Sequence, residues 1–360
     1  MREAGVSFRY DAPEPSAREF ADAFALLLRD RPARLDAYTL GGTVEVFEQA
    51  CARLLGKEKA VFMPTGTLAN HLAVRALAQG RSRVLVQEQG HLFNDSGDCL
   101  QRLSGFNAVP LGHGRAGFTL EEVQGALRSA GSSRVRVDIG AIVLETPVRR
   151  QHGALFDQGE LTRICAFARA QGIGLHLDGA RIFIASAYTG IPVADYAAAF
   201  DTVYVSLYKY FGSPCGAVLA GPAALLEGIH HERRMFGGAL NQAWMFAAAA
   251  LANLDGFAER FGRAVAVSED LKGRLRRLPG CSVSDIPQGT NVFRLHLAAG
   301  LDPAAFQARL AAAGILLPQP EADAFYLKVN ESLLAMPAEA LAGHFGVALD
   351  AARGGRHGWN

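Results

Sequence analysis

Lys209 follows a strand-like run, Thr202–Ser206, within Tyr204-Val-Ser-Leu-Tyr-Lys-Tyr-Phe-Gly-Ser-Pro-Cys-Gly216. A lysine at the C-terminal end of a strand stands where open α/β sheets bind ligands. Its aromatic neighbours Tyr208, Tyr210 and Phe211 partly desolvate it. Burial disfavours the ammonium form and frees an amine able to condense with an aldehyde, the requirement of Schiff-base chemistry. On this segment alone, Lys209 reads equally well as a surface lysine after a strand, so the decision must come from other residues.

Asp178 closes the strand-like run Ile173–Leu177 and opens Asp-Gly-Ala-Arg181, which brings a carboxylate to the same sheet edge as Lys209. A carboxylate beside a pyridine nitrogen keeps that nitrogen protonated and makes the ring an electron sink. Its alternative role is a helix N-cap. Met63-Pro-Thr-Gly-Thr-Leu-Ala-Asn70 precedes the helical run His71–Ala78, so Thr65, Gly66 and Thr67 offer hydroxyls and backbone N–H groups at a helix N-terminus, a place suited to phosphate. Taken singly, this tripeptide is only an N-cap. Ser206, three residues before Lys209, either adds a hydroxyl to the phosphate or is an ordinary strand-end serine. His91 follows the strand ending at Gln87, where an imidazole can stack on a ring and exchange a proton with substrate. An aldehyde, a pyridine and a phosphate together describe pyridoxal phosphate (PLP), held as a Schiff base on Lys209.

These residues need a sheet to position them. Short β-rich runs, Arg83–Gln87, Val135–Ile139 with Ala141–Leu144, Ile173–Leu177, Thr202–Ser206 and Gly216–Ala220, read as strands buried on both faces. Between them lie helical stretches such as Leu120–Ala130, opened by Thr119, and Gln158–Gln171, closed by Gly172. The alternation predicts an α/β sheet of mainly parallel strands. After Asn253 the texture changes to a long helix containing Arg260–Leu278, a strand Thr290–His296, a helix Asp302–Ala313 and a last helix near Pro337–Phe345. The expected organisation is an N-terminal segment, 1–30, packing on a small domain; a large cofactor-binding domain, 31–255; a small C-terminal α+β domain, 256–350; and a frayed tail, 351–360.

Composition narrows the function classes. Half of the 360 residues are hydrophobic, enough for a large core, and 36 Lys plus Arg against 35 Asp plus Glu leaves no charge excess to hold a nucleic acid. The N-terminus has no apolar leader core, and the longest near-apolar run, around Ala243–Leu254, is too short to cross a bilayer. The expectation is a soluble, cytoplasmic protein. Five scattered cysteines, Cys51, Cys99, Cys165, Cys215 and Cys281, show no CxxC spacing and read as reduced, buried side chains; no metal is expected.

The ordered set of segments resembles the threonine aldolase and β-eliminating lyase family of PLP enzymes. The similar segments are Tyr38–Glu48, Leu54–Glu58, the Thr65 loop, the His91 turn, Leu177–Ile182, Ser206–Gly216 and Gly237–Gln242, spanning roughly Phe8 to Ala250. The resemblance implies a fold-type-I architecture, PLP-dependent transferase-like, with a mainly parallel seven-stranded sheet, and a homodimer or homotetramer. It assigns Lys209 to the Schiff base, Asp178 to the pyridine nitrogen, His91 to ring stacking and Thr65, Gly66, Thr67 and Ser206 to the phosphate. Arg181 enters through it alone, as a cofactor-side contact.

Several positions depart from a typical threonine aldolase. Where those enzymes carry a histidine near Val148, this chain continues Arg149-Arg-Gln-His152, so Arg149 fills that space or His152 folds back. No arginine stands near Phe325–Asn330 to clamp a substrate carboxylate; Lys328 is the substitute, a point charge rather than a bidentate fork. Asn241 replaces an arginine, and Ser96 stands where an acidic residue is usual. Tyr38, Asn241, Arg149 and Lys328 are therefore the candidate substrate contacts. The expected activity is cleavage of a small β-hydroxy-α-amino acid between Cα and Cβ, with His91 or a water it positions taking the hydroxyl proton. Elimination, racemisation or transfer on the same cofactor is the alternative. A non-catalytic sensor is disfavoured because no DNA-binding module is expected before Phe8 or after Leu349.

Overall fold

The computed structural model describes residues 5–353 apart from Ser133 and Asp323. The chain divides into two compact units, one of Leu26–Asp255 and one joining the residues up to Ala25 to those from Gly256 onward.

The larger unit is built on a seven-stranded sheet in the spatial order Lys59–Met63, Ala217–Gly221, Thr202–Ser206, Gly174–Asp178, Ile139–Glu145, Arg83–Gln87 and Asn107–Leu111. Only Ala217–Gly221 runs against the rest, pairing antiparallel with both neighbours. Every residue of Ile139–Glu145, Thr202–Ser206 and Ala217–Gly221 is buried, as expected for strands covered on both faces. Helix Gly66–Ala78 covers one face, and Gly174 shows how closely: a Cβ there would lie 2.8 Å from Leu77 Cβ. Helix Leu120–Gly131 opens with a full capping box, Thr119 and Glu122 each satisfying the other's backbone N–H.

In the other unit, Val292–Leu297 is the centre of a three-stranded antiparallel sheet with Cys281–Asp285 and Ala324–Lys328. The N-terminal strand Val6–Ser7 pairs in parallel with Ile315–Leu316, and Phe8 packs edge-on against Phe293 and Phe345. Helices Phe257–Leu275, Pro303–Ala312 and Ala338–Arg353 contribute Leu271, Phe306 and Leu341 to the same core.

Three expectations are corrected. Val135–Asp138 is not a strand: pairing begins at Ile139, opposite Arg83, and Val135 is 76% exposed. The last helix runs to Arg353, so Ala351–Arg353 belong to it, with Ala352 buried; the rest of the expected tail, 354–360, lies outside the described residues. The strand expected from Thr290 begins at Val292. All five cysteines are free. Among the described residues, no helix is long and apolar enough to cross a membrane.

Candidate active site

The five strands leading to Thr65, His91, Arg149, Arg181 and Lys209 run in one direction, so their C-terminal ends share one edge of the sheet. Asp178 ends the central one, almost fully buried. Its Oδ2 accepts from Asn70 Nδ2 at 2.6 Å, and its Oδ1 accepts from Ala180 N at 3.2 Å. The alternative N-cap role is not its place: the helix Ile182–Thr189 has Arg181 at its N-cap position.

Glu145 ends the neighbouring strand directly opposite Asp178 in register. Its carboxylate accepts from the backbone N–H of His91 at 2.6 Å and of Arg149 at 2.9 Å, so one buried side chain ties two loops of the site together. Burial, and after it the charge of Asp178, pushes the Glu145 carboxyl up. His91 is half-buried; burial lowers its imidazole, with the charge of Asp178 raising it and that of Lys209 lowering it. Ser96 Oγ lies 3.2 Å from the His91 carbonyl and 3.4 Å from Nδ1. Arg149 Nη2 reaches Asp95 at 2.7 Å, and Arg150 reaches the other oxygen of the same carboxylate at 3.0 Å. Hydrogen bonds from Arg150 and Arg149 hold the Asp95 carboxyl down at about 2.

Thr65 caps helix Gly66–Ala78, its Oγ1 accepting from Leu68 N at 3.2 Å, and Gly66 and Thr67 follow in the first turn. Gly66 lies against Tyr204, two residues before Ser206 on the same face of its strand. Ser206 Oγ is fully buried without a hydrogen-bond partner. Arg181 is buried, and Lys209 is half-buried with Nζ 5.4 Å from the Tyr208 ring centroid.

Tyr38 and Asn241 are tied to each other, Tyr38 N donating to Asn241 O at 3.1 Å, while Arg234 lies over the Tyr38 ring at 4.8 Å. The buried Arg233 supports that loop, donating to the carbonyls of Thr39 at 3.2 Å and Phe62 at 2.6 Å. Lys328 belongs to the other unit, at the end of Ala324–Lys328, its N–H donating to Phe8 O at 2.9 Å.

The residues fit PLP. A carboxylate is held rigidly at a strand end, an imidazole and a lysine amine lie within electrostatic reach of each other, and an unpartnered buried hydroxyl stands near a helix N-terminus that can take phosphate. Among the described residues, no group of His, Cys, Asp and Glu is arranged to hold a metal. Reading the sequence missed Asn70, His176, Thr202, Glu145 and Asp95. Two of these left a signal: His176 is a polar residue two before Asp178 on the same strand face, and Glu145 closes its strand as Asp178 does.

A family model described as "Beta-eliminating lyase" matches residues 34–297. The chain belongs to the beta-eliminating lyase family. It is 33% identical over 210 residues to the low specificity L-threonine aldolase of Saccharomyces cerevisiae, covering 58% of this chain and 54% of that protein. The chain thus aligns with little more than half the length of that curated relative. A putative aromatic amino acid beta-eliminating lyase/threonine aldolase from Exiguobacterium superposes with a TM-score of 0.80 at 26% identity, covering 97% of this chain and 98% of the other. A putative L-allo-threonine aldolase from Listeria monocytogenes gives 0.77 at 26% identity, over 98% and 96%. A solved structure of SPT with a PLP internal aldimine shares the fold, with a TM-score of 0.70 at 16% identity.

Proposed function

We propose that this protein is a PLP-dependent lyase that cleaves a small β-hydroxy-α-amino acid between Cα and Cβ, holding the cofactor as a Schiff base on Lys209. The supporting observation is that Lys209, Asp178 and His91 meet at one sheet edge, with the charges of the first two acting on the third. In this reading Thr65, Gly66, Thr67 and Ser206 hold the phosphate, Arg181 is a cofactor-side contact and His91 stacks on the ring. Asp178 would keep the ring nitrogen protonated, and the cofactor, when bound, would supply an electron sink for the bond broken at Cα. His91 or a water it positions takes the β-hydroxyl proton. Burial keeps the imidazole in its base form below the ordinary histidine range, which suits that task. Glu145 fixes the backbone of the His91 turn through its N–H. Tyr38, Arg149 and Asn241 are the proposed substrate contacts, and the working assembly is a homodimer or homotetramer.

One observation favours a second reading with the same cofactor. Arg149, engaged with Asp95, follows Val148 where the aldolases it resembles carry a histidine, and an arginine there suits elimination, racemisation or transfer as well.

The test is to purify the protein with PLP, compare its visible spectrum with that of Lys209→Ala, and add β-hydroxy amino acids while assaying glycine and aldehyde. Glycine and aldehyde release with a lysine-dependent band is the expected result. A band without release supports the second reading, and no lysine-dependent band rules out both.

A further inference from the structure

Asp178 stands at one end of a chain of buried polar groups that runs back into the core. Gly174, His176 and Asp178 alternate onto the same face of their strand, and His176 lies opposite Thr202 on the next strand. Because Gly174 has no side chain, helix Gly66–Ala78 comes down close onto this face and carries Asn70 over His176. The result is an unbroken sequence of contacts: Thr202 Oγ1 to His176 Nδ1 at 2.8 Å, His176 Nε2 to Asn70 Oδ1 at 2.8 Å, and Asn70 Nδ2 to Asp178 Oδ2 at 2.6 Å. Asn70, His176 and Thr202 have no exposed surface, so water cannot replace a missing partner.

The direction of these bonds follows from elementary donor and acceptor accounting. The amide of Asn70 turns its NH2 to Asp178, so its oxygen faces His176 and must receive a proton there. His176 is therefore the Nε2–H tautomer, neutral, in keeping with a burial that pushes it down to about 4. Its Nδ1 lone pair accepts from the Thr202 hydroxyl. Every proton in the chain points toward Asp178, and the aligned dipoles favour negative charge on Oδ2. A protonated Asp178 that turned its O–H to Asn70 would reverse the amide, and His176 would have to take the Nδ1–H tautomer and donate to Thr202 Oγ1, so the whole chain would invert.

Resting on the reading of this site as a PLP site, we propose that Asn70, His176 and Thr202 are positioning residues that hold Asp178 as an oriented anion for a heteroaromatic ring nitrogen. None of the three needs to touch the cofactor. Their effect is passed through Asp178 alone, which separates this role from general support of the pocket.

The experiment measures PLP affinity by equilibrium dialysis, and the pH titration of the lysine-dependent visible band, in Asn70→Leu, His176→Phe, His176→Gln and Thr202→Val. The same affinities are then measured with a PLP analogue carrying C–H in place of the ring nitrogen. Asn70→Leu and His176→Phe are expected to weaken PLP binding by about tenfold, the loss of one hydrogen bond to a charged group, and to move the band's titration. His176→Gln, which can present an N–H where Nε2 was, is expected to restore most of the affinity, and Thr202→Val to lose less. The penalty should vanish with the analogue. Equal penalties for PLP and the analogue, or no penalty in folded variants, overturn the proposal. Should Asn70→Leu fail to fold, the comparison of His176→Gln with Thr202→Val decides in the same way. A wild-type protein without a lysine-dependent band overturns the PLP reading itself, and this proposal with it.

Discussion

Gly66→Ala separates two physical effects of opposite sign. Gly66 is the first residue of helix Gly66–Ala78, and alanine is the better helix former by up to about 1 kcal/mol, so propensity alone makes the variant more stable. Sterics say otherwise. A Cβ at this position would lie 2.0 Å from the Tyr204 hydroxyl oxygen, 2.3 Å from Cζ and 2.9 Å from Cε2. Restoring an ordinary contact of 3.4 Å to the oxygen requires a shift of 3.4 − 2.0 = 1.4 Å. Tyr204 is buried in Thr202–Ser206 and paired with Asp178 on one side and Leu219 on the other, so its backbone cannot yield. The clash is with the end of its buried ring, so either that ring turns aside or the Thr65 loop moves. Overpacking of this size costs about 1–3 kcal/mol, which outweighs the propensity gain. The assay is the urea midpoint of the apo protein, together with PLP affinity by dialysis, for Gly66→Ala, Tyr204→Ala and the double variant. Tyr204→Ala alone loses about 3–5 kcal/mol of packing, but it also makes room for the new methyl, so the double variant should lose less than the sum. A Gly66→Ala protein as stable as wild type with unchanged PLP affinity, or strictly additive effects, refutes the steric argument.

Arg149→Ala is expected to keep the visible band and raise the KM for the amino acid, with a stability change under about 1 kcal/mol because its ion pair with Asp95 is solvent-accessible; an unchanged KM removes Arg149 from the substrate contacts. The half-buried Glu48 is pushed up to about 7 by burial, against the opposing pull of the Phe62 N–H and Arg233. Its folded value is above the ordinary 4.5, so its contribution to stability is full below about 4.5 and lost as pH rises through 7. Glu48→Gln, which can still accept from Phe62 N, should therefore gain on wild type in urea midpoints between those pH values, and parallel profiles would count against the assignment. If His91 is the base, kcat/KM falls on the acid side only below the ordinary histidine range, and His91→Phe keeps the Schiff-base band while losing most turnover; an acid limb identical in His91→Phe assigns it to another group.

The lysine, the carboxylate and the helix N-terminus proposed to hold the cofactor could be singled out in the sequence because each is marked by a local pattern. Lys209 and Asp178 each stand just where a buried apolar run ends, and Thr65 just where a helix begins; the C-terminal end of a parallel strand is a fixed address in an α/β sheet. Strand limits were less legible where they depend on a neighbour. Val135–Asp138 carries strand-forming residues but has no partner, and Ile139 starts the strand because Arg83 lies beside it. Asn70 and Thr202 stood outside local patterns, and the alternation that puts His176 on the face of Asp178 does not show what it bonds to. His176 and Thr202 are 26 residues apart, and Asn70 is a further 106 from His176, so their union depends on strand order and on how closely a helix approaches Gly174. Chain composition and periodicity thus determined the elements, their alternation and the residues at strand ends, because these are set by contacts close in sequence. Which buried groups share a proton, which loops Glu145 ties together and how Gly66 is wedged against Tyr204 were decided only by tertiary packing, because hydrogen bonds and steric contacts act over a few ångströms in space whatever the separation along the chain.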